Sequence, residues 1–292
     1  MPDPTNRFAD PSRTISFQGA PGAYSDLACR NVFPDMATLP CAQFEDAFAA
    51  VRERRAALAM IPIENSVAGR VADIHHLMPD SGLYIIGEHF ERVRHQLLAV
   101  PGASLATIRT VRSHVHALSQ CRKLIRALGL TPVVAADTAG AAAEIAAHSD
   151  PSVAAIASEL AGRVYGLATL KENIEDADHN TTRFLIMSRD ALRPPRGTPT
   201  VTTFLFRVRN VPAALYKAMG GFATNGVNMT KLESYMVGGA FSATQFYADV
   251  EAHPDDRPLS LALEELAFFS REVKILGVYP AHPARLAAAF GE

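Results

Sequence analysis

Cysteine is scarce in this 292-residue chain: Cys29, Cys41 and Cys121 are an odd number of thiols at unrelated spacings. No disulfide framework follows from them, and a reducing compartment, the cytoplasm, is expected. Long apolar runs are missing as well. A membrane span needs roughly 18 consecutive apolar residues, and the most apolar stretch, 133–147, is interrupted by Asp137 and Glu144. Residues 1–13 place prolines and aspartates where a secretory signal needs an apolar segment, so they read as a tail. Charge of one sign is absent too. The 28 basic residues meet 30 acidic ones, for a net charge of −2, which gives no general attraction to nucleic acid. Arg52, Arg54 and Arg55 cluster on an amphipathic helix and read as its solvated face. No Gly-x-Ser-x-Gly elbow, Walker loop or cysteine–histidine pair in a recognisable context occurs, so hydrolase and nucleotide-dependent chemistry have little support.

What is present is the composition of a globular protein, 48 % hydrophobic and 20 % charged, in a chain long enough for two domains. The stretch 188–200, SRDALRPPRGTPT, concentrates proline and glycine between regions of different texture, and the domain boundary is expected there. Upstream, short apolar runs at 14–17, 57–63, 108–111 and 153–157 alternate with helical patterns, which points to an α/β architecture around a largely parallel sheet. Downstream the order reads β-α-β-β-α-β, the ferredoxin-like arrangement. Its strands are expected at 202–208, 227–235, 241–250 and 273–278, with a Gly238-Gly239 turn, a helix opened by Pro212 and Gly226 as its cap.

Polar groups collect where strands end and helices begin, as ligand sites of open α/β sheets do. Residues 17–25 form a glycine-containing turn entering a helix near Ser25, without the spacing of a dinucleotide fingerprint. Residues 61–69 deliver Glu64, Asn65 and Ser66 from a buried strand into a loop. Ser113 and His114 precede a helix that carries Gln120, with Ser113 a credible N-cap. His114 and His116 lack a third ligand at metal spacing, so no metal is expected. Residues 178–184 bring Thr182 and Arg183 to a strand entry. Each segment alone reads equally well as a turn or cap.

Taken in this order, the segments resemble prephenate dehydratase. The family's Gly-Pro-x-Gly-x-Tyr-Ser-like loop is matched at 19–25, with Gly22, Tyr24 and Ser25. Its Pro-x-Glu-Asn-Ser motif falls at Pro62, Glu64, Asn65 and Ser66. Its Ser-His-x-x-Ala-x-x-Gln-Cys motif falls at Ser113, His114, Ala117, Gln120 and Cys121, and Asn-x-Thr-Arg-Phe at Asn180, Thr182, Arg183 and Phe184. The C-terminal segment resembles an ACT domain through Val211, Pro212, Ala213, Ala214 and Leu215, and through Asn228, Thr230, Glu233 and Ser234. Two departures lie in this half and bear on effector response. Tyr235-Met236 stands where Arg-Pro is usual, and Ala213 where glycine is usual.

The resemblance implies a two-lobed, periplasmic-binding-protein-like catalytic domain over 14–190, with lobes 14–92 plus 179–190 and 93–178. A linker at 191–200, an ACT domain at 201–282 and a tail at 283–292 would follow. It implies conversion of prephenate to phenylpyruvate, water and carbon dioxide without a cofactor, in a homo-oligomer that senses phenylalanine. Thr182 or Glu64 would serve the leaving hydroxyl. Arg183, Asn65, Ser66, Ser113 and His114 would position the substrate, with Gln120, Asn180, Phe184, Gly22, Tyr24 and Ser25 beside them. The same residues suit arogenate dehydratase, while a non-catalytic amino-acid sensor would have no need of the Thr-Arg-Phe motif.

Overall fold

In a computed structural model, residues 10–236 and 243–285 are described. In chain order come β1 (Thr14–Gln18), α1 (Tyr24–Val32), β2 (Ala37–Cys41), α2 (Phe44–Arg52), β3 (Leu58–Asn65), β4 (Gly69–Arg70), α3 (Ala72–Leu77) and β5 (Tyr84–Arg92). Then follow β6 (Gln96–Ala99), β7 (Thr110–Ser113), α4 (Val115–Gln120), α5 (Arg122–Ala127), β8 (Thr131–Val134), α6 (Thr138–His148), β9 (Val153–Ala157), α7 (Glu159–Tyr165), β10 (Ala168–Lys171) and β11 (Thr181–Ser188). The last elements are β12 (Thr200–Val208), α8 (Ala214–Thr224), β13 (Met229–Met236), β14 (Ala243–Val250), α9 (Arg257–Phe269) and β15 (Ser270–Pro280). Among the described residues no helix is long and apolar enough to cross a membrane.

By packing, the chain divides into one unit of Met1–Ile74 with His89–Phe184 and another of His75–Glu88 with Leu185–Glu292. The crossings fall inside α3, β5 and β11 rather than in the proline-rich segment where a boundary was expected. Proline marks a loop, whereas membership of a unit is decided by what the neighbouring strand packs on. Ile85 pairs in parallel with Gly277, and a Cβ at Gly277 would lie 2.3 Å from the Ile85 carbonyl oxygen.

The first unit holds two sheets. In one, β1 runs parallel to β2 and β3, and β4 folds back antiparallel on β3. The apolar run of β3 buries Ala59, Met60 and Ile61 on both faces, as a central strand must. Phe17 and Phe48 are buried with them. Full burial of such side chains contributes roughly 1.5–3 kcal/mol each. In the other sheet the order is β10-β6-β9-β7-β8, with β7 parallel to β8 and β9 and the β6 pairs antiparallel. Parallel pairing thus covers the segments read as strands from the sequence, and antiparallel additions come from β4, β6 and β10.

Gly22 joins the two halves of this unit. Its φ is +88°, and a Cβ there would come 2.7 Å from Ala161 Cα. Ser158, the N-cap of α7, donates from its hydroxyl to the Gly22 carbonyl and accepts from the Ala161 amide. Only glycine allows both the backbone angle and the approach.

In the second unit β13-β14-β12-β15 form an antiparallel sheet, joined in β-α-β-β-α-β order. Phe204, Phe206, Phe222, Leu259 and Leu266 make its core with α8 and α9. Pro212 does not open α8, which begins at Ala214. Ala213 precedes it as the cap with φ +60°, a conformation that costs a side-chain-bearing residue. Gly226 takes φ +66° just past the same helix, and the Val227 amide bonds back to the Phe222 carbonyl as in a Schellman ending. The Gly238-Gly239 turn, most of the 1–13 tail and the end of the 283–292 tail lie outside the described residues.

Candidate active site

A cavity of about 610 Å³ opens in the first unit where β1, β3, β7 and β8 end. Tyr24 and Ser25 reach it from the start of α1, His114 and Ala117 from α4, and Asp137 and Thr138 from α6. These helices therefore turn their N-termini toward the same space; the Asp137 carboxylate already caps that of α6, and the partial positive charge of the other two favours an anion there. Arg70 of β4 adds a guanidinium to the lining.

A chain of hydrogen bonds runs along one wall. Asn65 Oδ1 accepts from the backbone amides of Val67 and Ala68, at 2.9 and 2.8 Å. Its Nδ2 donates to Asn180 Oδ1 at 2.8 Å and to Thr182 Oγ1 at 2.9 Å. Asn180 Nδ2 donates to Gln120 Oε1 at 2.9 Å, and the same oxygen lies 2.9 Å from His95 Nε2. His95 Nδ1 lies 2.9 Å from the Tyr24 hydroxyl, which also donates to the Arg94 carbonyl. Asn180 and His95 are buried at 1 % and 2 % exposure, so these bonds have little competition from water. Burial lowers the pKa of His95 against the opposing pull of Gln120 and Glu175, and it lowers that of His114 with help from His116. The Tyr24 hydroxyl is pushed well above its ordinary pKa, again by burial. The wall is thus uncharged at neutral pH, and positive charge comes from Arg70 and the helix ends.

Residues 15–192, more than half of the chain, match the family model of prephenate dehydratase. The chain belongs to the prephenate dehydratase family. It is accordingly a hydro-lyase. It is 57 % identical over 274 residues to a bifunctional N-acyl-homoserine lactone acylase/prephenate dehydratase of Komagataeibacter europaeus, covering 94 % of this chain and 98 % of that one. An arogenate dehydratase/prephenate dehydratase of Arabidopsis thaliana is 39 % identical, over 91 % of this chain and 71 % of its own. Among solved structures, a prephenate dehydratase of Arthrobacter aurescens in complex with L-Phe superposes with a TM-score of 0.84 at 31 % identity, covering 94 % of this chain and 96 % of that one. A quorum-quenching acylase, GqqA, superposes at 0.89 with 57 % identity, over 94 % of this chain and all of that one.

Of the residues expected from the sequence, Tyr24, Ser25, Asn65, His114, Gln120, Thr182 and Phe184 line the cavity, and Asn180 stands behind it in the hydrogen-bond chain. Several expectations are corrected. Arg183 is 3 % exposed and donates to Glu64 Oε1 at 2.9 Å, away from the lining, because alternate side chains of β11 face opposite ways. Glu64 is the acceptor in that pair and is no cavity residue. Ser113 ends β7 fully buried, bonded to the Ile156 carbonyl, and His114 rather than Ser113 caps α4. Ser66 bonds the His179 carbonyl and the Thr181 amide, which fixes the two loops but leaves its hydroxyl engaged. Gly22 serves packing, as described above.

In the second unit Val211, Pro212, Ala213, Asn228, Thr230 and Ser234 are exposed, whereas Ala214, Leu215 and Glu233 are half-buried. Tyr235 belongs to β13, not to a loop. It is buried and stacked on His75 with ring centroids 4.8 Å apart.

His95 and Arg70 escaped the sequence reading. The trace of His95 was the alternation at 91–95, where Glu91, Val93 and His95 are buried and Arg92 and Arg94 exposed. Arg183→Met is expected to lower the unfolding free energy by about 1.5–3 kcal/mol, the range for a hydrogen bond to a charged group. Because Arg183 does not face the cavity, KM should stay near the parent value. Denaturant unfolding beside steady-state kinetics tests this, and a raised KM in a protein of unchanged stability would return Arg183 to the substrate.

Proposed function

We propose that this cavity binds prephenate and that Thr182 serves its departing hydroxyl. The observation that carries the reading is the donor–acceptor order around Thr182. Its oxygen accepts from Asn65, so its own proton is left for an acceptor in the cavity. Prephenate is a dianion, and the helix N-termini together with Arg70 suit its carboxylates. As the ring carboxylate leaves as carbon dioxide, its bonding electrons enter the ring. The ring becomes aromatic and the carbon–oxygen bond to the hydroxyl breaks. The hydroxide takes up one proton and departs as water. A threonine hydroxyl is a weak acid, so its contribution is a directed hydrogen bond to the oxygen on which charge develops. The same arrangement suits arogenate, whose side chain bears an ammonium in place of the keto group.

The β-α-β-β-α-β order of the second unit supports the reading of this portion as an ACT domain. The Arthrobacter aurescens relative was solved with L-Phe, and phenylalanine is proposed as effector here, bound by 211–215 and 228–234 in at least a dimer. A second reading rests on the 57 % identity to the bifunctional Komagataeibacter protein. The cavity's apolar wall of Ala23, Phe44, Pro62, Val71, Val93 and Phe184 would seat an acyl chain, so N-acyl-homoserine lactone hydrolysis is proposed as an additional activity.

Three measurements check these statements. Thr182→Val is expected to fold normally and to lose about 10²–10³-fold in kcat for phenylpyruvate formation, as when one oxyanion donor is removed. Turnover near the parent value would remove Thr182 from the reaction. Calorimetry with phenylalanine, run beside an activity titration, should record binding; no heat at millimolar ligand would end the effector reading. Incubation with an N-acyl-homoserine lactone should release the fatty acid and homoserine lactone, and an unchanged substrate would end the acylase reading.

A further inference from the structure

The hydrogen-bond chain behind Thr182 has a direction, and one end of it fixes that direction. A side-chain amide can be turned over without changing its outline, so its neighbours must decide which atom is oxygen. At Asn65 they do: the backbone amides of Val67 and Ala68 are donors only, so the atom facing them is Oδ1. Nδ2 therefore faces Asn180 and Thr182 and donates one proton to each. Asn180 must then present its oxygen to Asn65 and its nitrogen to Gln120. Gln120 in turn presents Oε1, which also faces His95 Nε2. Two acceptors cannot share that contact, so His95 Nε2 carries the proton. In the neutral ring Nδ1 is then bare, and the single Tyr24 hydroxyl proton is divided between it and the Arg94 carbonyl oxygen 2.8 Å away.

We infer that His95 is a positioning residue of the dehydratase reaction, held as the Nε2–H tautomer and locking the Gln120, Asn180 and Asn65 amides so that the Thr182 proton points into the cavity. This rests on the reading of Thr182 given above. Val67 and Ala68 hold the chain at its Asn65 end, and the Nε2–H donor holds it at the other. Without that donor Gln120 Oε1 loses the partner that fixes it against Asn180 Nδ2, Asn180 can draw its oxygen away from Asn65, and the amide that bonds Thr182 is held from one end alone. Lys, Arg and carboxylate groups have no place in the chain itself. Glu175 lies beside it, and its Oε2 accepts from the His95 backbone amide and so anchors the main chain that carries the ring, while Glu91 faces Tyr24 and the Asp176 amide bonds the Gln120 carbonyl. Burial keeps the imidazole neutral, in agreement with a tautomer chosen by its neighbours rather than by charge.

The test compares His95→Leu, His95→Gln and Thr182→Val in the full chain with prephenate. Glutamine places an amide nitrogen near the position of Nε2 and keeps the donor, whereas leucine keeps bulk and removes it. His95→Leu is expected to lose about tenfold in kcat, the effect of one misdirected hydrogen bond of roughly 1.4 kcal/mol, with KM near the parent value. His95→Gln should recover most of that loss. Equal losses in the two variants, or a loss confined to KM, would overturn the proposal. ¹⁵N NMR of histidine-labelled parent protein gives a measurement that survives a misfolded leucine variant. It should find His95 protonated at Nε2 and bare at Nδ1, with the signals assigned by their absence from His95→Gln; the opposite tautomer would overturn the proposal. Normal turnover in Thr182→Val would instead sink the reading of Thr182 itself. Normal turnover in His95→Leu beside an inactive Thr182→Val would sink His95 alone.

Discussion

Two peptide N–H groups, those of Val67 and Ala68, impose an order on everything along the cavity wall, because a backbone amide can only donate. They fix Asn65, and Asn65 fixes Asn180 and Thr182. The loop that supplies them is itself pinned, since Ser66 bonds the His179 carbonyl and the Thr181 amide of the strand carrying Thr182. Residues more than a hundred positions apart in sequence are thereby brought within one hydrogen-bonded wall. An interior network of this kind rigidifies its members when each is satisfied. A weak acid such as a threonine hydroxyl depends on that rigidity, because directed hydrogen bonding acts only if the proton is aimed before the charge develops.

Charge is arranged separately from this wall. The wall residues Asn65, Asn180, Gln120 and Thr182 are neutral, His95 is kept neutral by burial, and Arg183 is spent on Glu64 behind the sheet. Attraction for a dianion falls instead to the N-termini of α1 and α4 and to Arg70, since the Asp137 carboxylate already caps α6. Fixed dipoles and the Arg70 guanidinium can hold two carboxylates without placing a cation against the hydroxyl that must leave. The ion pair of Arg183 and Glu64 then has a structural meaning. It braces β11 against β3 next to Thr182 and Asn65, the residues whose spacing sets the donor geometry.

How much of this was legible in the sequence depends on the range of the interaction. Apolar runs gave β3 and β9 nearly to the residue, and the β-α-β-β-α-β order of the second unit was readable from periodicity and glycine placement. Thr182, Asn65 and Gln120 were legible through their motifs. Which face Arg183 takes was not, although strand alternation with Thr182 already forbade both from facing the cavity. Ser113 looked like a cap because serine before a helix usually is one, yet its hydroxyl is taken by Ile156 from a neighbouring strand. His95 bears no local mark, since its meaning lies in Gln120 and Tyr24, which are distant in sequence. The same limit hid the segment His75–Glu88, whose place beside β15 is set by Gly277 and by the Glu88–Arg285 ion pair at 2.6 Å.

The second unit carries its own departures at places where backbone and packing are tight. Ala213 occupies a left-handed φ of +60° at the head of α8, where glycine would be relaxed, so the entry to this helix is held under strain by the side chain it bears. Tyr235 is no exposed loop residue. It lies buried in β13, stacked on His75 and accompanied by Tyr247, whose ring meets His75 edge-on at 5.1 Å. His75, Tyr235 and Tyr247 all belong to the second unit, so the aromatic cluster ties the end of α3 to β13 and β14 within it. A ligand can shift a conformational equilibrium only through a difference in its affinity for the two states. An effector on β13 would acquire such a difference if one state strained the Tyr235–His75 stack.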